Sequence, residues 1–300
     1  MTEIDIAVVG GGLAGLNAAL TAAQLGRRTT VFCGAAPGGL LLSIEAIRGL
    51  PGHPDGVPGY DLGPMTQEAA MDAGAECLSC EVESLSRDGD RWLLRSAEGS
   101  YRARTVILAP GSDLRQLGVP GEEAYAGKGV SHCASCDAPM LRGRTVAVVG
   151  GGDAACQEAL TIAPFASQVH LLVRGPALRA RLEWQQRIAG QPKIAPRFGA
   201  VVEAVLGQAA VTGLRLAGGE TLPVDAVFVY AGLVPHTDWL GGLVPLEADG
   251  RIAVDADLQT PVAGLFSAGT ARAGSSGQAA QAQADGVAAA QAAHRLLESL

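Results

Sequence analysis

Cys133 and Cys136, in the run SHCASCDAP, are the residues whose spacing most directly permits chemistry. A Cys-x-x-Cys pair can close a small disulfide, and one of its sulfurs can serve as an attacking thiolate. Shortly downstream, TVAVVGGGDAAC ends an apolar strand on Gly150-x-Gly152-x-x-Ala155. That turn lets a backbone approach a pyrophosphate closely. A two-electron sulfur couple beside a dinucleotide site predicts electron transfer between a nucleotide cofactor and a disulfide. Zinc binding and an inert pair are the competing uses of a Cys-x-x-Cys, and a neighbouring dinucleotide turn disfavours both.

A second turn of this kind opens the chain. Residues 4–9 read as an apolar strand, Gly10-x-Gly12-x-x-Gly15 follows, and an Ala/Leu helix runs to Leu25 before Gly26 stops it. Residues 29–32 supply the next strand, which completes a βαβ unit. The acidic residue expected at the end of that strand to hold a ribose is missing, and Cys33-Gly34 stands there. Gly38-Gly39 offers a second close approach to a large flavin-like ligand. The repeated fingerprint implies two dinucleotides, or one dinucleotide and a flavin dinucleotide. Arg174, Arg179 and Arg181 come just after the strand at 169–173. That is where a 2′-phosphate is held, which favours NADP over NAD; the competing reading is a solvated basic patch.

The remaining elements position these turns. Residues 50–63, with three prolines, read as a loop, and a helix follows from about Pro64 to Ala73. Cys77 and Cys80 lie in a strand-like run, where positions i and i+3 face opposite sides of a sheet, so they are expected to be structural. No matching pair of Cys or His completes a metal site there, and none is expected elsewhere. Hairpin signals at Asp88-Gly89 and Glu98-Gly99 predict an antiparallel meander over 80–103, with a separate strand at 104–109. Further strands fall within 201–216 and 221–230, and another at 265–268 precedes a terminal Ala/Gln helix.

With 300 residues, 48% hydrophobic and 17% charged, the chain is long enough for two domains with substantial cores. A net charge of −8 and no basic run argue against nucleic-acid binding. No basic leader with an apolar stretch opens the chain, and no segment is apolar enough to span a bilayer. Six cysteines are too few for a disulfide-stapled secreted scaffold, so a cytoplasmic protein is expected.

In order along the chain stand GGGLAG near the start, Gly38-Gly39 with LPG at 50–52, APG at 109–111 and GVPGEE at 118–123. CASCD at 133–137 before GGGDAAC, and LFSAG before the last helix, complete the series. In these features nearly the whole chain resembles the low-molecular-weight thioredoxin reductases. The resemblance implies an α/β fold of two Rossmann-like dinucleotide-binding domains, in which a split FAD domain carries an inserted NADPH-type domain. Residues 1–114 and 240–300 would form the first and 115–239 the second, in a homodimer. Gly10, Gly12, Gly15, Gly38, Gly39, Thr270, Gln278 and Ala279 would contact FAD; Gly150, Gly152, Ala155, Arg174 and Arg179 would contact NADPH. Cys136 would face the flavin, Cys133 would attack the substrate disulfide, and Asp137 would move thiol protons. A carboxylic acid whose pKa is raised by burial suits that role.

Four departures from the resembled pattern bear on function. Leu40 stands where the family has Gln, Thr270 replaces an Asp, Gly277 replaces an Arg, and Gly175 removes one arginine of the nucleotide motif. The leading expectation is reduction of thioredoxin or a thioredoxin-like protein by NADPH. One alternative is a flavin-dependent oxidase that forms disulfides in small dithiols with oxygen as acceptor. Another is a reductase fed by ferredoxin, and a non-enzymatic flavin-binding redox sensor is the third.

Overall fold

The computed structural model describes residues 2–299. It divides into two compact units, one from the chain up to Asp113 together with Val234 onward, the other Leu114–Leu233.

The first unit begins with β1 (Thr2–Val9), α1 (Leu13–Gln24) and β2 (Thr29–Phe32). β1 and β2 pair in parallel, Ile6 opposite Thr29 through Val9 opposite Phe32. Successive β1 side chains alternate faces, as the pleat dictates. Ile6 and Val8 pack with α1, while Ala7 and Val9 pack on the other side with Trp92 and Leu94. Next come α2 (Gly59–Asp72), β3 (Glu76–Leu78), β4 (Val82–Asp88), β5 (Arg91–Ser96) and β6 (Gly99–Leu108).

Two boundaries differ from the sequence expectation. α2 starts at Gly59, with Pro64 inside it. Pro64 normally signals a helix start, but here the first turn forms against the short 3₁₀ segment Gly39–Ser43. A Cβ on Gly59 would lie 1.9 Å from the Leu41 carbonyl oxygen, so that approach needs the glycine. The meander and the strand after it are also one continuous element. β6 pairs antiparallel with β5 through Ala103, and its whole length from Tyr101 runs parallel to β1.

After the crossing strand β7 (Ser112–Leu114), the second unit contributes β8 (Val130–Ser131), α3 (Ala134–Asp137), β9 (Thr145–Val149) and α4 (Asp153–Ile162). β10 (Gln168–Val173), α5 (Leu182–Ala189) and β11 (Ile194–Phe198) follow. β12 (Val202–Gly207), β13 (Val211–Leu216), β14 (Thr221–Pro223) and β15 (Ala226–Val229) complete it. A parallel sheet in the order β11-β10-β9-β15-β8 forms the nucleotide-type layer, and β12-β13-β14 forms a separate antiparallel sheet. The alternation of β1 recurs in β9: Val146 and Val148 pack with α4, Ala147 and Val149 with the antiparallel sheet. The chain returns through β16 (Leu233–Pro235), which pairs with β7.

β17 (Leu265–Ser267) then adds to the first sheet beside the C-terminal half of β6. The helix α6 (Ala279–Glu298) packs on α1, where a Cβ on Gly286 would meet the Ala14 carbonyl at 2.1 Å. Alanine-rich faces on both helices make that close crossing possible. No helix among the described residues is long and apolar enough to cross a membrane.

Candidate functional site: two glycine turns and a disulfide

Each glycine of the first turn answers a different constraint. Gly10 sits at φ +110° with a hypothetical Cβ 2.1 Å from the Ala109 carbonyl oxygen, so it makes the turn. Gly11 lies against Cys33, and a Cβ on Gly15 would fall 1.8 Å from the Gly10 oxygen, so Gly15 lets α1 start close on the strand. Gly12 has no such reason. Its φ of −77° suits any residue, and a Cβ there would meet nothing within 4 Å. A glycine that neither backbone conformation nor neighbouring protein requires leaves open space at the amino end of a helix, where a pyrophosphate is stabilised by unpaired amides.

The second turn repeats this division of labour. Gly150 takes φ +151° with its hypothetical Cβ 2.5 Å from the Tyr230 carbonyl, and Gly151 packs on Val173. Gly152, at φ −96°, again faces open space. Both turns therefore fit a dinucleotide, on the same observation made twice. Beyond β10, the Arg179 and Ala180 amides bond the Gly151 carbonyl at 2.7 and 3.1 Å, folding the arginine loop onto the turn. Arg174 and Arg179 are exposed, whereas Arg181 is held by Asp153, its Nε 2.5 Å from a carboxylate oxygen. Of the three arginines named from sequence, Arg181 is thus already engaged.

Cys133 and Cys136 are joined as a disulfide, their Cα atoms 5.4 Å apart. β8 delivers the chain to this point and α3 carries the pair, with Cys133 at its N-cap and Asp137 at its last residue. Cys136 is exposed; Cys133 and Asp137 are half-buried. The Ser131 hydroxyl accepts the Cys133 amide at 3.1 Å, and Ser135 Oγ lies 3.6 Å from Cys133 Sγ. Behind the motif the Tyr230 hydroxyl donates to the His132 carbonyl at 3.1 Å. Burial, then the charges of Glu158 and Asp137, push the Tyr230 phenol up, so it stays a proton donor.

Nearly all of the chain, residues 4–286, matches the family model described as pyridine nucleotide-disulphide oxidoreductase. A thioredoxin reductase of Treponema pallidum is 36% identical over 100% of this chain and 99% of its own length. One from Peptoclostridium acidaminophilum is 34% identical over 98% of this chain and 97% of its own. The chain belongs to the low-molecular-weight thioredoxin reductase family. Among solved structures, Lactococcus lactis thioredoxin reductase superposes with a TM-score of 0.91 at 29% identity, covering 99% of this chain and 100% of that one. As a member of this family the chain is a thioredoxin reductase-like flavoprotein oxidoreductase with a Cys-x-x-Cys disulfide. The family implies FAD and a pyridine nucleotide as cofactors, and a thioredoxin as partner.

The other sequence-named positions of the first unit are held by their own local contacts. Gly38 donates its amide to the Gly11 carbonyl at 2.8 Å, bringing Gly38 and Gly39 against the turn. Thr270 follows β17 and accepts a hydrogen bond from the buried Ser112 hydroxyl at 3.0 Å. Gln278 caps α6 and Ala279 opens it. Cys33, at the ribose position, is no substitute for an acid: its hydrogen bond to Cys77 and its burial push the thiol up, and it stays uncharged.

Sequence reasoning passed over the pair Arg272–Asp285. Asp285 is buried in α6, receives Arg272 Nε and Nη2 at 2.7 and 2.8 Å, and accepts the Gly269 amide at 3.1 Å. It fastens the segment after β17 that carries Thr270. A buried carboxylate inside an otherwise Ala/Gln helix was the available signal.

Proposed function

We propose that this chain passes electrons from NADPH through FAD to the Cys133–Cys136 disulfide and on to thioredoxin or a thioredoxin-like protein, working as a homodimer. The carrying observation is that two separate turns each hold a glycine that neither its backbone conformation nor its protein neighbours require, Gly12 and Gly152, while the second unit presents a closed redox disulfide. FAD, when bound, supplies the two-electron relay between a nicotinamide and a disulfide. Gly10, Gly12 and Gly15 with Gly38 and Gly39 would hold its pyrophosphate, and Thr270, Gln278 and Ala279 would meet the rest. Gly150, Gly152 and Ala155 would seat the second dinucleotide, and Arg174 and Arg179 would take its 2′-phosphate. Their exposed guanidiniums suit that role.

In the outgoing half-reaction the Cys133 thiolate attacks a substrate disulfide and forms a mixed disulfide, expelling the first thiol. Cys136 then attacks Cys133, restoring the internal disulfide and releasing the second thiol. The two protons of the dithiol go to the two leaving sulfurs, with Asp137 as the carrier beside them.

A second reading substitutes another donor for NADPH. Gly175 interrupts the arginine run, and a ferredoxin-flavin thioredoxin reductase of Clostridium acetobutylicum superposes with a TM-score of 0.55 at 27% identity. An anaerobic titration of the flavin-loaded protein decides between them. Bleaching of the oxidised flavin band near stoichiometric NADPH supports the proposal. No bleaching by NADPH or NADH, with bleaching by reduced ferredoxin or by a small dithiol, would overturn the choice of donor.

A further inference from the structure

We propose that Ser135, the second residue between the two cysteines, is a catalytic residue whose hydroxyl stabilises the Cys133 thiolate and thereby assigns Cys133 the attack on the substrate. This inference deepens the reductase reading and rests on it for the identity of the reaction.

The two sulfurs of the motif are in unequal surroundings. Ser135 Oγ lies 3.6 Å from Cys133 Sγ. A sulfur in a disulfide carries no proton, and Cys133 is bonded to Cys136, so the hydroxyl must be the donor. The Ser135 side chain makes no other hydrogen bond among the described residues. Ser131 is also near Cys133, but its hydroxyl proton points at the Cys133 carbonyl, 3.5 Å away, while its oxygen accepts the Cys133 amide. Ser135 is therefore the flanking hydroxyl aimed at the sulfur. Cys136 Sγ has no hydrogen-bond donor among the described residues.

A donor to sulfur favours the anion over the thiol, since the charged acceptor gains most from the bond. In the reduced enzyme Cys133 is then the sulfur that ionises first. Its thiolate bonds to one sulfur of the substrate disulfide, whose other sulfur leaves as a thiolate and takes up a proton. Cys136 afterwards attacks Cys133, and the electron pair of the mixed disulfide leaves with the remaining substrate sulfur. The enzyme dithiol is oxidised by two electrons and the substrate reduced by two. When the internal disulfide is itself reduced, Cys133 is the better leaving sulfur, because its thiolate is the stabilised one. The bond thus directs reduction to Cys136, and one hydroxyl sets the polarity of both half-reactions.

The test needs neither nucleotide nor flavin turnover. The full-length protein is reduced with a phosphine, freed of it, and alkylated with iodoacetamide across a pH series; each cysteine is then quantified by peptide mass spectrometry. Cys133 is expected to react faster than Cys136 at neutral pH although Cys136 is the more exposed, so accessibility cannot produce that order. Ser135→Ala is expected to raise the pH midpoint of Cys133 by about one unit and to slow its neutral-pH alkylation up to roughly tenfold. Cys136 is expected to be unchanged, and Ser135→Thr, which keeps the hydroxyl, should behave as wild type. An unchanged Cys133 midpoint in Ser135→Ala, or a faster Cys136 in the wild type, overturns the inference. Far-ultraviolet circular dichroism of each variant separates these outcomes from misfolding. Failure of NADPH to bleach the flavin would sink the donor assignment and leave this result standing.

Discussion

Gly12→Ala is the substitution that separates what the first glycine turn does for the fold from what it does for a ligand. At φ −77° with no atom within 4 Å of the new methyl group, alanine fits the apo-protein without strain. Replacing glycine by alanine at a compatible site restricts the unfolded chain and stabilises by about 0.4–1 kcal/mol, which offsets the similar cost of alanine at the N-cap of α1. Gly15→Ala is the contrast, because its methyl group would sit 1.8 Å from the Gly10 carbonyl oxygen and push α1 off the turn. Overpacking of that kind costs about 1–3 kcal/mol or more. For the ligand the order is reversed: a methyl group at residue 12 occupies the space a pyrophosphate needs. The same overpacking range then acts on the complex alone, weakening flavin binding about 5- to 150-fold at 1.4 kcal/mol per factor of ten. The assay is urea denaturation of the flavin-stripped proteins, paired with a fluorescence titration of FAD into each. Gly12→Ala should be close to wild type in stability and bind FAD poorly; Gly15→Ala should already be destabilised without ligand. If Gly12→Ala bound FAD with wild-type affinity, or destabilised the apo-protein as much as Gly15→Ala, the ligand-based reason for Gly12 would be wrong.

Three further outcomes follow from named contacts. Arg272→Met leaves Asp285 buried without its cation and should cost about 3–5 kcal/mol in urea denaturation; adding Asp285→Asn should recover part of it, and a loss below about 1 kcal/mol would contradict the role of the pair. Arg179→Ala should raise the KM for NADPH about tenfold and leave NADH unaffected, since it removes one charged partner of a phosphate; equal effects on both nucleotides would point to loop damage. Burial, with the charge of Asp153, pushes the Cys156 thiol from 9.0 up to about 11. Between those values the unfolded chain has lost a proton that the native chain keeps, so raising the pH favours unfolding. Stability should therefore be intact below about pH 9 and decline toward 11, and Cys156→Ala should flatten that slope in denaturation curves; an unchanged slope would refute the assignment.

What was legible in the sequence is what local chemistry dictates. A nucleotide turn needs small residues at fixed offsets between a strand and a helix, so Gly10, Gly12 and Gly15 and their counterparts at 150–155 could be named from spacing alone. Cys77 and Cys80 do pack in different core clusters, but not by the strand alternation expected of them: Cys77 lies in β3, while Cys80 stands in the bend between β3 and β4. The misplaced elements are those decided by contacts distant in sequence. α2 begins before Pro64 because residues 39–43 supply a surface for its first turn. The break expected in β6 vanishes because β1 pairs along almost all of it, while β5 and β17 share its other edge. Ser135 was visible as a residue but not as a donor, since its direction depends on how α3 turns between the two cysteines.

The loss of an acid at residue 270 is the departure with the clearest physical content, and the structure narrows how it can be offset. Asp285 is the carboxylate nearest in sequence that reaches this segment, through the Gly269 amide. Its Oδ1 is engaged by Arg272 Nη2, and its Oδ2 by Arg272 Nε and the Gly269 amide. A carboxylate so neutralised has little charge or acceptor capacity left for a sugar hydroxyl. Thr270 itself accepts the Ser112 hydroxyl, which leaves its own proton to donate outward. A ligand hydroxyl that an aspartate would bind as donor must therefore turn round at Thr270 and accept. Thr270→Asp tests this: restoring the acid beside Ser112 should tighten FAD if the site is built as in the resembled family, because Ser112 can donate to a carboxylate as readily as to a hydroxyl. Weaker FAD binding by Thr270→Asp, in a protein of unchanged stability, would mean that this chain holds its ligand by a rearranged set of donors at that position.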